Sequence, residues 1–371
     1  MSDQPSHLHE PGGDYQCLHE FIPAARAKLS ANIWGYLVGA AESETTMRRN
    51  RAALDSIALR PRVCRDVSKV DPSTTLFGRK WRIPVALAPV GSLESFHPGG
   101  AATAGRGASE FGVPIIVSSV THPGLEETAA ATSGAKIFQL YVRGDNAWMD
   151  DVVRRAVAAG YDAFAITVDT AAYSRRERDI AGRFVKPWRT AASGHNFQAG
   201  FTWDNVKHFK DHHSIPLILK GIATAEDAAI ACEHGVDCIY VSNHGGRQLD
   251  HGRGSRDVLP EVLAAVRGRA KVMIDGSFCR GTDIVKAIAV GADAVAMGRM
   301  YCYALAAAGD TGVHTMLTLL EHEIGVALAL SGARSLAELN RSFLHFGAPP
   351  VFSPHVHSAF PLVFPTPEHQ G

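Results

Sequence analysis

The chain holds only six cysteines (17, 64, 232, 238, 279 and 302) in 371 residues, none in a C-x-x-C pair or at zinc-ligand spacing. A disulfide framework is therefore not expected, and the thiols read as reduced in a cytoplasmic setting. Net charge is missing as well. The 37 Lys and Arg balance the 37 Asp and Glu, so no basic stripe offers itself to nucleic acid or to an anionic membrane. No stretch approaches the roughly 18 uninterrupted apolar residues that span a bilayer. Met1 to Tyr15 is polar and lacks both the charged and the apolar parts of a signal peptide, so it reads as a disordered leader. The end, Glu368-His369-Gln370-Gly371, is not a peroxisomal Ser-Lys-Leu signal. No G-x-G-x-x-G joins an early strand to a helix, which leaves a Rossmann dinucleotide site with little support. A soluble protein with small-molecule partners is expected.

What is present is a large apolar fraction, 46%, enough to bury the core of one decorated domain. That domain is expected over 16–345, between the leader at 1–15 and a Pro/His-rich tail at 346–371. Eight short apolar runs recur: Ile83 to Ala88, Pro114 to Ser118, Lys136 to Val142, Ala163 to Val168, Pro216 to Lys220, Cys238 to Ser242, Lys271 to Asp275 and Ala294 to Gly298. Each has the length and β-branched content of a strand buried on both faces. Ala-rich amphipathic stretches lie between them, at Ala101 to Phe111, Trp148 to Ala159, Ala225 to His234 and Asp283 to Val290, followed by Gly112, Gly160, Gly235 and Gly291 as C-caps. Strand and helix alternating to eight strands is the pattern of a TIM (β/α)8 barrel, here with an N-terminal helical extension. An open doubly wound sheet is the structural alternative.

Barrel chemistry collects at the C-terminal ends of the strands. Ser118 and Ser119 stand there after the second strand, Gln139 and Tyr141 after the third, Thr167 and Asp169 after the fourth, and Lys220 after the fifth. The sixth leads into Val241-Ser242-Asn243-His244-Gly245-Gly246-Arg247-Gln248, a base and a cation three positions apart on a glycine turn. Asp275-Gly276-Ser277 and Gly298-Arg299 follow the last two strands, where such barrels bind phosphate through backbone N–H groups and a helix N-terminus. No carboxylate-histidine constellation of metal-ligand type surrounds His208, His212 and His213, so they read as exposed helix surface and no metal is expected.

Five ordered segments resemble the FMN-dependent 2-hydroxy-acid oxidase and dehydrogenase family, which includes glycolate oxidase, lactate oxidase and mandelate dehydrogenase. They are Leu59-Arg60-Pro61-Arg62-Val63 with Asp66-Val67-Ser68; Phe138-Gln139-Leu140-Tyr141-Val142; Thr167-Val168-Asp169-Thr170 with Arg175-Arg176-Glu177; Leu219-Lys220-Gly221; and the His244 run with Asp275-Gly276 and Gly298-Arg299. The resemblance implies FMN as cofactor and oxidation of an L-2-hydroxy acid to its 2-oxo acid, with oxygen or another electron acceptor as reoxidant. His244 is similar to the family's base, taking a proton while electrons pass to flavin N5, and a neutral imidazole near its ordinary pKa of about 6.5 suits that task. Asp169 would orient His244 and raise its basicity. Arg176, Arg247 and Tyr36 would hold the substrate carboxylate, and Tyr141 the hydroxyl. Pro89, Val90, Gly91, Ser118, Gln139, Thr167, Lys220, Ser242, Asp275, Gly276, Ser277, Gly298 and Arg299 would line the flavin. A homotetramer follows from the resemblance alone.

The chain departs from the family pattern in places. Ser277 replaces a glycine and Cys279 an arginine beside the expected phosphate, with Arg280 as a substitute cation and Cys279 as a candidate redox-sensitive thiol. Gly91 and Val120 enlarge the pocket, which points to a substrate larger than glycolate, such as lactate, mandelate or another aryl or branched acid. The lid from Asp179 to Phe201 lacks an extended apolar stretch for membrane docking. Read singly, Tyr36 and Tyr141 are also ordinary packing residues. Two other readings remain open: a flavin-free lyase with a Schiff base on Lys220, and a non-catalytic barrel that binds a phosphate ligand.

Overall fold

Eight short strands, nearly every residue buried, pair in parallel and close on themselves. They are β1 (Val85–Leu87), β2 (Ile115–Ser118), β3 (Lys136–Leu140), β4 (Ala163–Thr167), β5 (Leu217–Ile222), β6 (Cys238–Val241), β7 (Lys271–Ile274) and β8 (Ala294–Met297), bonded in sequence order with β8 returning to β1. The computed structural model describes residues 13–186, 196–347 and Ala359. The expected leader up to residue 12, the middle of the expected lid and nearly all of the tail lie outside those residues. Contacts reach Tyr15, which stacks on Phe21 with ring centroids 4.3 Å apart, and Phe346, which pairs with Ile57.

The period of two along each strand sorts the side chains into two cores. Ala86, Ile116, Ala165, Ile218, Tyr240, Met273 and Ala296 point inward, while Leu87, Val117, Ile166, Leu219, Val241, Ile274 and Val295 meet the surrounding helices. Alanines at so many inner positions leave room for Tyr240 and Met273. A hairpin, Thr74–Leu76 with Arg79–Trp81, closes the N-terminal mouth, and its Leu76 and Trp81 join the inner core. The opposite mouth is left open to ligands.

The helix Arg299–Ser331 breaks its geometry at Ala308 and Gly309, where φ is 63°. By length and composition it could cross a membrane, yet 56% of its apolar window is buried, because it packs against the helices Gly100–Phe111 and Phe21–Lys28 as part of the barrel shell. Close approach there depends on Gly107, where a Cβ would lie 2.5 Å from the Asp310 carbonyl oxygen.

The N-terminal extension supplies helices Phe21–Lys28, Ala31–Val38 and Thr45–Asp55. The last is pinned to the barrel by Arg51, whose buried guanidinium holds Asp283 at 2.7 Å and 2.8 Å and also donates to the Ser277 carbonyl at 3.0 Å. Burial alone would raise the Asp283 pKa, but Arg51 holds it below the usual carboxylate range. Arg51→Met leaves that carboxylate buried and uncompensated, and a loss of about 3–5 kcal/mol is expected in denaturant unfolding at neutral pH. Because the folded-state pKa is depressed, the contribution is present above the unfolded value of about 3.9 and disappears as pH falls through the folded one, so wild type and variant should converge in acid.

Candidate active site

A cavity of about 590 Å³ opens at the C-terminal ends of the strands. His244 enters it from a tight turn after β6, with φ 60° at His244, 64° at Gly245 and 79° at Gly246. A Cβ at Gly246 would stand 2.6 Å from the Met47 backbone nitrogen, so the turn packs directly on the N-terminal extension. The left-handed backbone at His244 is a conformation that a side chain adopts only when its surroundings enforce it. Here its N–H donates to Ser242 Oγ at 3.0 Å.

The imidazole is fixed at both nitrogens. Nδ1–H faces Asp169, 3.1 Å and 3.3 Å from its two oxygens, and this assigns the tautomer in which Nε2 accepts from the Tyr141 hydroxyl at 3.1 Å. Gly221 makes room for the carboxylate. Its φ is 114°, it sits at a register shift in β5, and a Cβ there would lie 2.7 Å from Asp169 Cβ. Burial lowers the His244 pKa to about 4, with Lys220 acting in the same direction and Asp169 opposing both through its charge and its hydrogen bond. That departs from the value near 6.5 expected from the sequence, because the sequence shows the carboxylate partner but not the loss of water. Asp169 itself stays below the carboxylate range, since His244 and Lys220 outweigh the effect of burial. Burial raises the phenol of Tyr141 and takes that of Tyr36 to about 12, so both act as neutral donors.

Two arginines stand opposite. Arg247 donates through Nη1 to the carbonyls of Tyr36 at 2.7 Å and Gly39 at 2.6 Å, while its buried Nη2 has no partner. Burial lowers its pKa to about 10, which leaves it charged at neutral pH. Arg176, also buried, is held by the Arg247 carbonyl at 3.0 Å, Ser174 Oγ at 3.2 Å and Gln248 Oε1 at 3.2 Å. The Tyr36 hydroxyl donates to the Gly91 carbonyl at 3.0 Å, and the Arg247 guanidinium covers its ring at 4.8 Å.

The cavity wall also includes Pro89, Val90, Gly91, Lys220, Asp275, Gly276, Ser277, Gly298 and Arg299. Arg299 donates to the carbonyls of Gly39 at 2.8 Å and Gly245 at 3.2 Å, whereas its Nε and Asp275 Oδ1 are buried without a partner. Unpartnered polar atoms around one cavity suit an anionic, hydrogen-bonding ligand. The side chains of Ser118, Gln139 and Thr167 are not on the wall. They bond one another in a buried row beneath it, Ser118 Oγ to Gln139 Oε1 at 2.8 Å and Gln139 Nε2 to Thr167 Oγ1 at 2.8 Å. Ser242 also lies below, 3.2 Å from Lys220 Nζ.

Three further sequence expectations change. Arg280 is not a second phosphate cation, because it pairs with Glu323 at 2.7 Å and does not line the cavity. Cys279 does line it, but burial takes its pKa to about 12, so it is a thiol at neutral pH with little redox reactivity. Asp150, from another helix, stands between His208 and His213 at 3.1 Å and 2.7 Å, so those histidines do have a carboxylate neighbour. Among the described residues no group of metal-ligating side chains is formed. Sequence reasoning missed Gln248, which ties the Asp169 and Ala172 carbonyls at 2.9 Å each, and Lys186 on the cavity wall. Gln248 sat inside the quoted motif; Lys186 carried no signal of period or spacing.

A model of the FMN-dependent dehydrogenase family matches residues 25–346. The chain is 38% identical over 352 residues to glycolate oxidase 5 of Oryza sativa subsp. japonica, covering 89% of this chain and 95% of that protein. It is 38% identical over 355 residues to an L-lactate oxidase of Nostoc sp., covering 88% and 97%. A crystal structure of mandelate oxidase with (S)-2-phenylpropionate superposes with a TM-score of 0.84 at 38% identity, covering 91% of this chain and all of that one.

By NMR, the His244 ring should stay neutral well below the midpoint of an exposed histidine and titrate near pH 4. Asp169→Asn removes a group that raises this pKa, so the midpoint should fall further; an unmoved midpoint would mean that the carboxylate does not act on the ring.

Proposed function

The chain belongs to the FMN-dependent dehydrogenase family, and from that premise we propose that it oxidises an L-2-hydroxy acid larger than glycolate to the 2-oxo acid. The observation that carries this reading is the line Tyr141, His244, Asp169 facing the pair Arg176 and Arg247 in one cavity. A 2-hydroxy acid has the matching parts, a carboxylate next to a carbon that bears hydroxyl and hydrogen.

The arginines bind the carboxylate through charge-assisted bonds, with Arg247 Nη2 already free for one of them, and Tyr36 turns its hydroxyl from Gly91 to the same group. Tyr141 bonds the substrate hydroxyl and gives up His244 Nε2, which receives a proton as the C2 carbon loses two electrons. Asp169, 3.1 Å away, stabilises the imidazolium formed in that step. FMN, when bound, would accept the two electrons together with the substrate's second proton. The residues that would hold it are Pro89 to Gly91, Lys220, Asp275 to Ser277, Gly298 and Arg299, above the row of Ser118, Gln139, Thr167 and Ser242. The fixed charge of Lys220 favours the reduced ring, and the N-terminus of the helix at Arg299 suits the phosphate. Oxygen or another acceptor then completes turnover. Gly91 and Val120 both line the cavity, which supports the larger substrate.

Anaerobic addition of glycolate, lactate and mandelate to the yellow FMN-loaded protein tests this. Bleaching by lactate or mandelate at higher kcat/KM than by glycolate is expected; a clear preference for glycolate would remove the size argument. His244→Gln should retain FMN and slow flavin reduction by about 10²–10⁴-fold. The acid limb of kcat/KM should fall near pH 4 rather than near 6.5.

A further inference from the structure

A second cavity, of about 140 Å³, lies beside the active-site cavity. Val142 and Phe197 line both, so these two residues separate the spaces. The partition stands next to the chemistry, because Val142 follows Tyr141, whose hydroxyl meets His244 Nε2 at 3.1 Å.

Phe197 is held from both sides. The Gln198 amide reaches the ends of β3 and β4, where Oε1 accepts from the Val142 N–H at 2.7 Å and Nε2 donates to the Thr167 carbonyl at 2.9 Å. Asn196 donates through Nδ2 to the Ala171 carbonyl at 3.2 Å and accepts at Oδ1 from the Ala199 N–H at 3.1 Å. The backbone of Phe197 is therefore fixed across the cavity, and its side chain packs on the core.

The two cavities differ in what they offer a ligand. The wall of the larger one carries buried polar atoms without a partner, Arg247 Nη2, Arg299 Nε and Asp275 Oδ1. Among the described residues, no such atom belongs to the wall of the smaller one. There Asn205 donates to Asn146 Oδ1 at 2.8 Å and accepts from the Thr202 N–H at 2.8 Å, while Met149 and Phe201 add apolar surface. With its polar groups already engaged, this space suits a hydrocarbon chain rather than a further polar group.

Resting on the hydroxy-acid reading above, we propose that Phe197 determines specificity by chain length. The apolar side chain on C2 of the substrate runs along Val142 and stops against Phe197, which closes off the second cavity. With the carboxylate on the arginines and the hydroxyl on Tyr141, the side chain is the part left to meet this wall. Gly91 and Val120 give the substrate width, and Phe197 sets its length.

The test is anaerobic flavin reduction in the FMN-loaded full-length protein, read as the ratio of second-order rate constants for L-2-hydroxyoctanoate over L-2-hydroxybutyrate. Phe197→Ala should raise that ratio by about fourfold for each methylene that enters the second cavity, and about tenfold or more in all. Val142→Ala, at the other shared position, should move it the same way, which keeps the proposal testable if Phe197→Ala does not fold. Gly200 lies on the wall of the second cavity, and a Cβ there would stand 3.7 Å from the Phe197 carbonyl oxygen, an ordinary contact. Gly200→Leu added to Phe197→Ala should therefore refill the space and remove most of the gain. A ratio unmoved by Phe197→Ala overturns the proposal, as does a loss equal for both acids, which would make the ring a packing element only. A gain that survives Gly200→Leu overturns it too, by placing the room elsewhere. Flavin reduction by neither acid nor by lactate in the wild type would instead overturn the hydroxy-acid reading beneath it.

Discussion

The contact between Asp169 and His244 is the constraint around which the site is arranged. Removing an imidazole from water beside Lys220 favours its neutral form, and the carboxylate behind it retains enough affinity for a proton to make it a usable base. The two effects must coexist in a few ångströms. This requires β5 to bring its backbone against Asp169, which Gly221 permits, and requires the turn after β6 to hold His244 in a left-handed conformation. Gln248 and Ser242 then secure the two ends of the pair through backbone groups.

The N-terminal extension takes part in this arrangement. Its carbonyls at Tyr36 and Gly39 accept from Arg247, and Gly39 also accepts from Arg299, so the two ends of the cavity lean on one short segment. That segment is fixed in turn by Asp250, whose Oδ1 accepts from the Thr46 N–H at 2.8 Å and whose Oδ2 accepts from Ser43 Oγ at 2.7 Å. A chain portion outside the barrel repeat thus sets the orientation of cations that belong to barrel loops. The barrel supplies the positions, and the extension determines which donors of each guanidinium stay free.

Much of the architecture could be read in advance because the strands are buried on both faces and so appear as short apolar runs between turn residues. Glycines 112, 160, 235 and 291 marked helix ends, where each has positive φ. The helix Arg299–Ser331 and the hairpin plug were not legible, since their roles depend on which surfaces they cover. In the site, residues next to strand ends in short motifs, such as His244 and Arg247, were visible; those whose meaning comes from a distant partner were not. Arg280 looked like a free cation until Glu323 appeared beside it, His208 and His213 looked isolated until Asp150 did, and Lys186 looked like any lysine.

The sequence by itself determined an eight-strand α/β barrel and the residue types at the strand ends, because local periodicity and turn chemistry are properties of neighbours along the chain. Only the tertiary structure decided the protonation state of His244, the pairing of Arg280 and Asp150, and the convergence of Lys186 with Tyr36 and Tyr173. Burial and long-range electrostatics act through space, and residues separated by a hundred positions acquire them only when the barrel closes.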